Sequence, residues 1–336
     1  MKLALTYNVR KGNEDKANLP EDHYAEWDDM STIESVRDGL LKKHDTVGLI
    51  EADKDAYEKF RAFSPELVFN MAEGLSGESR ESQIPAILEM LGIAYTGSGP
   101  LTLGLCLNKA RAKEALTAAG VPNARYFIAS SKSDIPASLN FPLIAKPLYE
   151  GSSKGVKNDC LVKDKSALEA KIAEITALYR QAAIVEEFLP GREFTVALMG
   201  NGDTLKVLPI VEIDYSTLPA GANPIYSYEA KWIYDTPEAP LKIFECPAKL
   251  DAGTQRMIED TAKRAFNSLD VKDWCRIDMR LDVNGIANVI ELNPLPGILP
   301  NPEQNSCFPK AARASGMDFS ALVCGVVDAA RKRYGI

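Results

Sequence analysis

Three oxygen-bearing side chains, Asp278, Glu291 and Asn293, flank a hairpin signal, Asn284-Gly285. An Asn-Gly pair suits the two positive-φ positions of a type I′ turn. With that turn, Val283 faces Ile286, Asp278 stands opposite Glu291 and Arg276 opposite Asn293. Strand alternation then places Arg276, Asp278, Arg280, Val289, Glu291 and Asn293 on one face. Carboxylates opposed across a hairpin repel. A cation between them removes that cost, and carboxylate and amide oxygens are the hard donors that Mg²⁺ accepts, usually alongside phosphates. The competing reading is a solvated face with a salt bridge from Arg276 or Arg280.

A phosphate cradle has one candidate. Lys146 lies in an apolar run, 141–147, that opens onto Glu150-Gly151-Ser152-Ser153-Lys154-Gly155-Val156. Successive backbone N–H groups of such a loop can form an anion nest. The same composition also makes an ordinary hairpin turn. No G-x-x-x-x-G-K-[ST] occurs, which removes the P-loop. Gly97-Ser98-Gly99 lacks the third glycine of a dinucleotide fingerprint and runs into Pro100.

The elements that must position these residues belong to an ordinary globular chain of 336 residues, 46% hydrophobic and 26% charged. That length predicts two or three domains and an interdomain cleft. A formal charge of −8 and a pI near 5.1 argue against nucleic acid or an anionic membrane as partner. Residues 1–7 are apolar for too short a run to be a leader and meet Arg10-Lys11; no run reaches membrane-spanning length. A cytoplasmic location is expected. The six cysteines show no framework spacing and read as reduced thiols, and with two histidines a zinc site or His-based triad is not expected.

Along the chain, strands are predicted at 2–7, 46–51 and 66–70, with a helix from the capping box Ser31-Thr32-Ile33-Glu34 and another at 84–91 ended by Gly92. This alternation predicts an open α/β unit over 1–107. Asn108 caps a helix that ends before Gly120. A strand at 141–147, a helix at 166–180 and strands at 183–189, 193–199 and 205–213 follow. The aromatic-rich stretch 214–240 is long enough to read as a functional loop. A helix at 251–269 precedes the hairpin, and a helix at 319–331 closes the chain.

Taken in order, Tyr95-Thr96-Gly97-Ser98, Asn108-Lys109, Ala145-Lys146-Pro147, the glycine–serine loop, Glu186-Glu187-Phe188-Leu189-Pro190-Gly191-Arg192-Glu193, Tyr228-Glu229-Ala230-Lys231, Arg276-Ile277-Asp278 and Glu291-Leu292-Asn293-Pro294-Leu295-Pro296-Gly297 resemble the D-alanine–D-alanine ligases of the ATP-grasp superfamily. The resemblance runs over most of the chain from Val68 onward. It implies an N-terminal α/β domain (1–107), a central ATP-grasp lobe carrying the phosphate loop (108–182), and a C-terminal lobe (183–336) with the metal site and the mobile loop 214–240.

Carried over by residue, the resemblance makes Lys109, Lys146 and Lys231 contacts of ATP. Backbone amides around Ser152 and Ser153 become a lid over the phosphates. Glu186, Phe188 and Leu189 become the adenine hinge and Glu193 the ribose contact. Asp278, Glu291 and Asn293 become ligands of two Mg²⁺ ions, a site Mn²⁺ also suits. Arg276 and the Gly297 N–H would stabilise the oxyanion of acyl transfer, and Ser153 and Glu26 join the catalytic set. The implied reaction joins amino acids: a carboxylate takes the γ-phosphate, and an amine displaces it. The family's assembly is a homodimer.

The substrate end departs from the family. The Gly-Gly-x-Ser-x-Glu run after the first strand is replaced by Tyr7-Asn8-Val9-Arg10-Lys11-Gly12. Glu26 stands nearest to the glutamate that holds the first substrate's amino group, with Glu14 and Asp28 as rivals. Glu73 replaces a histidine, Arg80 is placed to meet a substrate carboxylate bidentately, Trp232 replaces a tyrosine, and Ser306 is expected on the second substrate's carboxylate. Three activities stay open: D-alanine–D-alanine ligation, ligation of other amino acids or amines, and ATP binding without ligation.

Overall fold

The computed structural model describes residues 1–10, 20–234 and 241–336. Its first sheet is parallel, in the order Thr46–Glu51, Lys2–Tyr7, Leu67–Asn70, Ala94–Tyr95. Lys2–Tyr7 is covered on both faces, as central parallel strands are. Leu3 and Leu5 pack with Ile33, Val36 and Leu40 of the helix Met30–Leu41 and with Leu322, Val323 and Val326 of the helix Phe319–Tyr334. Ala4 packs with Phe60, Ile84 and Leu88 on the other side. The last helix thus completes the first core; Ser320 donates to Gly39 O at 2.7 Å and Lys43 pairs with Asp328 at 2.6 Å.

The helix expected from the capping box starts earlier, at Met30, behind an Asp29 N-cap with no side-chain cap bond. The cause lies upstream. Val9 and Asp28 form a parallel bridge, and the Asp28 amide donates to Asn8 O at 3.2 Å. Asp28 is held extended there, so the Asp29 carbonyl receives the first helical bonds, from Thr32 and Ile33.

The second sheet is antiparallel, in the order Tyr126–Ala129, Ala183–Glu187, Leu143–Pro147, Leu161–Val162. Ala183–Glu187, expected to open the C-terminal lobe, pairs inside this sheet, so a boundary at 182/183 cuts through it.

The third sheet runs Phe244–Glu245, Val211–Ile213, Glu193–Met199, Trp274–Leu281, Ala287–Asn293, with Lys206–Val207 on the third of these. The helix Ala252–Ser268, capped by Asp251 through the Gly253 and Thr254 amides, lays Ile258, Ala262, Ala265 and Phe266 against Phe194, Val196, Ile277 and Met279. Alternation turns Glu193, Thr195, Arg276, Asp278 and Arg280 the other way, into a cleft facing the second sheet.

In the hairpin, Asp278 opposes Glu291 and Arg276 opposes Asn293, as expected. The turn is different. The Asp282 carboxylate accepts from the Asn284 and Ile286 amides at 2.8 and 2.9 Å, and Asp282 N donates to Ile286 O at 3.0 Å. Three residues span the turn, and of the Asn-Gly pair Gly285 alone has positive φ, +75°. The pairs nearest the turn are therefore one residue off the expected register: Leu281 with Ala287, Arg280 with Asn288, Met279 with Val289. A bulge between Asp278 and Met279 restores the register by adding Ile290. Val289 consequently leaves the functional face for the core beside Met279, and Ile290 lines the cleft in its place.

Candidate active site

The cleft is a cavity of about 220 Å³ between the second and third sheets. It continues into a chamber of about 90 Å³ that reaches the ends of the first sheet. Lys109, Gly151, Ser152, Lys231, Arg276, Glu291 and Gly297 border both.

Lys109 opens the helix Lys109–Ala118, whose Asn108 cap accepts from the Arg111 amide at 3.1 Å. Its ammonium donates to the Glu150 carbonyl and lies 3.6 Å from Glu291. One turn on, Lys113 is 1% exposed and 2.6 Å from Glu186. Lys146, from the strand Leu143–Pro147, pairs with the other Glu186 oxygen. Burial would raise the Glu186 carboxyl, but Lys113 and Lys146 overcome it and hold it at about 2. Lys113 was not singled out in the sequence, although its position four residues from Lys109 puts both on one helix face.

The glycine–serine loop holds three left-handed residues, Ser152, Ser153 and Gly155, at φ 51°, 61° and 69°. A Cβ on Gly155 would collide with Pro147. The Ser153 hydroxyl donates to Tyr226 O at 3.0 Å. Two carboxylates from the N-terminal segment grip the loop: Gly151 N donates to Glu26 at 2.7 Å and Gly155 N to Asp22 at 2.8 Å. Tyr179 also donates to Asp22, at 2.7 Å. The helix Tyr228–Trp232, inside the stretch expected as a mobile loop, docks on the same loop, with Tyr228 N donating to Val156 O at 2.7 Å. It brings Lys231 into the cleft, where burial, then Arg276, push its ammonium down to about 8.

Phe188 and Leu189 line the cleft beside Ile144 and Ile225. The Arg280 guanidinium lies 4.6 Å over the Phe188 ring and donates to Glu193 at 2.9 Å and to Pro224 O at 2.8 Å. Glu193, expected on a ribose, therefore reaches the cleft already tied to Arg280, with burial raising its carboxyl.

The opposed acids carry both readings that the hairpin left open. Asp278 accepts from Arg276 at 2.9 and 3.0 Å and from Asn293 Nδ2 at 3.2 Å. Glu291 is held below the usual carboxylate range by Lys109, Lys146 and Arg276, against its burial. Among the described residues no group of three His, Cys, Asp or Glu is arranged as a metal cage. The donor set still suits a hard divalent ion: two carboxylates directly opposed, with an amide oxygen two pairs along on the same face.

At the substrate end, Glu26 and Arg80 meet each other. Arg80 is 8% exposed and donates to both Glu26 oxygens at 2.8 and 3.0 Å and to Tyr149 O at 2.9 Å. Arg80, expected on a substrate carboxylate, is thus seen here paired with Glu26. Burial opposes ionisation of Glu26, but Arg80, Lys154 and the Gly151 amide hold it at about 2. Glu73 lines the smaller chamber, and burial raises its carboxyl well above the usual range. Ser306 donates to Gly297 O and accepts from Leu299 N, both at 3.2 Å, closing the turn beside Arg276. Gly297 is exposed to the cleft, with open space where a Cβ would stand. Glu14 and the Trp232 side chain lie outside the described residues. Asp22, Tyr179 and Glu81 carried no motif, and only the fold brings them here, beside Glu150 at the start of the glycine–serine loop.

Two antiparallel lobes closing on a lysine-lined cleft, with a glycine–serine loop on one side and opposed acids on the other, define an ATP-grasp protein. The family model described as D-ala D-ala ligase C-terminus matches residues 116–328. The D-alanine–D-alanine ligase of Chromohalobacter salexigens is 34% identical over 270 residues, 80% of this chain and 78% of that protein. The uncharacterized protein y4sG of Sinorhizobium fredii is 35% identical over 299 residues, 87% and 84% of the two chains. The chain belongs to the D-alanine–D-alanine ligase family. The crystal structure of the Bacillus anthracis D-alanine–D-alanine ligase complexed with ATP shares the fold, with a TM-score of 0.74 over 99% of this chain and 97% of that one, at 23% identity.

Proposed function

We propose that this protein is an ADP-forming ligase that makes a C–N bond between amino acids through an acyl phosphate. One observation carries the reading: Lys109, Lys146, Ser152, Ser153, Lys231, Arg276, Asp278 and Glu291 all border a single cleft that the apolar Phe188 and Leu189 also line.

Adenine lies against Phe188 and Leu189, and the ribose approaches Glu193. Lys109, Lys146 and Lys231 meet the phosphates, which Ser152 and Ser153 cover. A phosphate beside Lys231 offsets the burial and the Arg276 charge that depress its ammonium. Asp278, Glu291 and Asn293 would hold Mg²⁺, which supplies charge neutralisation for phosphoryl transfer; two ions are proposed. The first substrate's carboxylate oxygen attacks the γ-phosphorus, the bond to the bridging oxygen breaks, and ADP leaves. The second substrate's amine, its proton lost to solvent, attacks the acyl carbon. Arg276 and the Gly297 N–H face the developing oxyanion, and phosphate departs. Glu26 acts by holding the phosphate loop through Gly151, which supports a positioning role. Docking of Tyr228–Trp232 on Val156 supports closure of 214–240 over the nucleotide.

The test is ADP release from ATP and Mg²⁺ over a panel of amino acids, singly and in pairs, with the product identified by mass. Release with D-alanine alone assigns that substrate, and release with another pair assigns that pair. ATP protection against heat without ADP release from any combination defeats the reading.

A further inference from the structure

The chamber of about 90 Å³ lies at the carboxyl ends of the first sheet. In that sheet the chain runs from Lys2–Tyr7 outward to Thr46–Glu51, then returns to add Leu67–Asn70 on the opposite side. The crevice between Lys2–Tyr7 and Leu67–Asn70 is a topological switch point, where open α/β sheets take ligands. Asp28, bridged to Val9 just past the first of these strands, and Glu73, just past the second, both border the chamber.

Six carboxylates and three basic side chains line the chamber. Protein cations account for half of the acids. Arg80 and Lys154 take Glu26 and Glu150, and Lys109 takes Glu291. No hydrogen bond or ion pair from a described residue reaches the carboxylates of Asp28, Glu73 or Glu81. Arg10, next to Asp28 in space, pairs with Asp29 at 3.7 Å. Arg80, next to Glu81 in sequence, is turned onto Glu26. Arg10, then Lys231, offset the burial of Asp28 in part, and Arg80 does the same at a distance for Glu81 and Glu73, whereas Glu81 and Glu26 add to the negative field at Glu73.

Enclosed carboxylates without partners are costly unless a cation joins them. Burial favours the neutral forms, pushing Asp28 and Glu81 up to about 7 and Glu73 well above the carboxylate range, so an added cation is what would hold all three ionised together. An α-ammonium group answers one of the three. Arg276 and Lys231, on the same chamber, provide the pole for a carboxylate.

We infer that the amino acid whose carboxylate is activated carries a second cationic group, as a diamino or guanidino acid does, and that Glu73 and Glu81 receive it while Asp28 meets the α-ammonium. This rests on the ligase reading for the activation step and on the chamber alone for the binding preference.

Calorimetric titration of the full chain without ATP, using ornithine, lysine and arginine of both hands against norvaline, norleucine and alanine, tests the preference directly. The expected result is binding of at least one cationic amino acid at least about tenfold tighter than its neutral analogue, as charge-assisted bonds to enclosed acids provide. Glu73→Gln and Glu81→Gln each reduce that ratio to roughly threefold or less. ADP release with the same panel then separates the two claims. A cationic preference in binding with no ADP release from any pair leaves the inference standing and defeats the ligase reading. ADP release with neutral amino acids at equal or better kcat/KM, or equal binding of neutral and cationic partners, overturns the inference and leaves the ligase reading intact. Mg²⁺ alone displacing the cationic amino acid in a manner abolished by Glu73→Gln also overturns it, by making the cluster a metal site.

Discussion

Lys113 and Glu186 lie 2.6 Å apart in the wall of the cleft, each no more than 2% exposed. Their pairing leaves the second Glu186 oxygen for Lys146, so the placement of Lys146, a proposed phosphate contact, depends on a second lysine buried in the same wall. Lys113→Met removes one of the two cations on a buried carboxylate. The expected loss is about 3 kcal/mol of unfolding free energy, in the range for breaking a buried pair, measured by urea titration. A stability equal to wild type would show that Lys146 alone satisfies Glu186.

Glu26 links the N-terminal segment to the phosphate loop, and its carboxyl is held at about 2 against an ordinary value of 4.5. A depressed carboxyl stabilises the fold above its unfolded value, and that contribution disappears as pH falls from about 4.5 through about 2. The difference in unfolding free energy between wild type and Glu26→Gln, on the order of 3 kcal/mol at neutral pH, is expected to shrink across that window. A difference constant from pH 6 to about pH 2.5 would contradict the assignment.

Asp28 and Glu81 run the other way. Burial raises both to about 7, above their ordinary values of 3.8 and 4.5. Each favours the fold fully when protonated in both states, and that advantage is lost as pH rises from about 4 through about 7. Asp28→Asn and Glu81→Gln are expected to raise Tm at pH 8 by a few degrees, roughly 2–4 °C each for a chain of this size. At pH 3.5 the effect should vanish. A fall in Tm at pH 8 would mean that the ionised forms have partners in the fold.

Arg276 holds Asp278 at 2.9 Å and borders both cavities. As an oxyanion stabiliser its loss costs roughly 2.7–4 kcal/mol in the barrier, about 10²–10³ in kcat. Arg276→Ala is expected to show that loss in the ADP-release assay, with the KM for ATP changed less than kcat. Turnover preserved within about threefold would remove Arg276 from the acyl-transfer step.

Local chemistry was legible in the chain itself. Asn108 and Asp251 start helices because a short side-chain oxygen next to a helical run satisfies amides two or three residues on. The opposition of Asp278 and Glu291 followed from alternation around a turn. Even there the turn departs from type I′, since the Asp282 carboxylate captures the Asn284 and Ile286 amides and a bulge at Ile290 absorbs the shift. The ATP-grasp architecture and three of the cleft lysines, Lys109, Lys146 and Lys231, are readable through motifs set in order along the sequence, whereas Lys113 is not.

What only the tertiary structure decided is how distant charges pair. Arg80 carries no local signal for its partner, and Glu26, 54 residues away, is the carboxylate it reaches. Glu26 also finds Gly151 across 125 residues, and Glu186 gathers two lysines from separate elements. Spacing along a chain specifies neighbours within a helix turn or a strand pair. A carboxylate's partner across the fold is set by which enclosed charges the packing brings within reach. Among the described residues, the same packing brings no hydrogen bond or ion pair to the carboxylates of Asp28, Glu73 and Glu81.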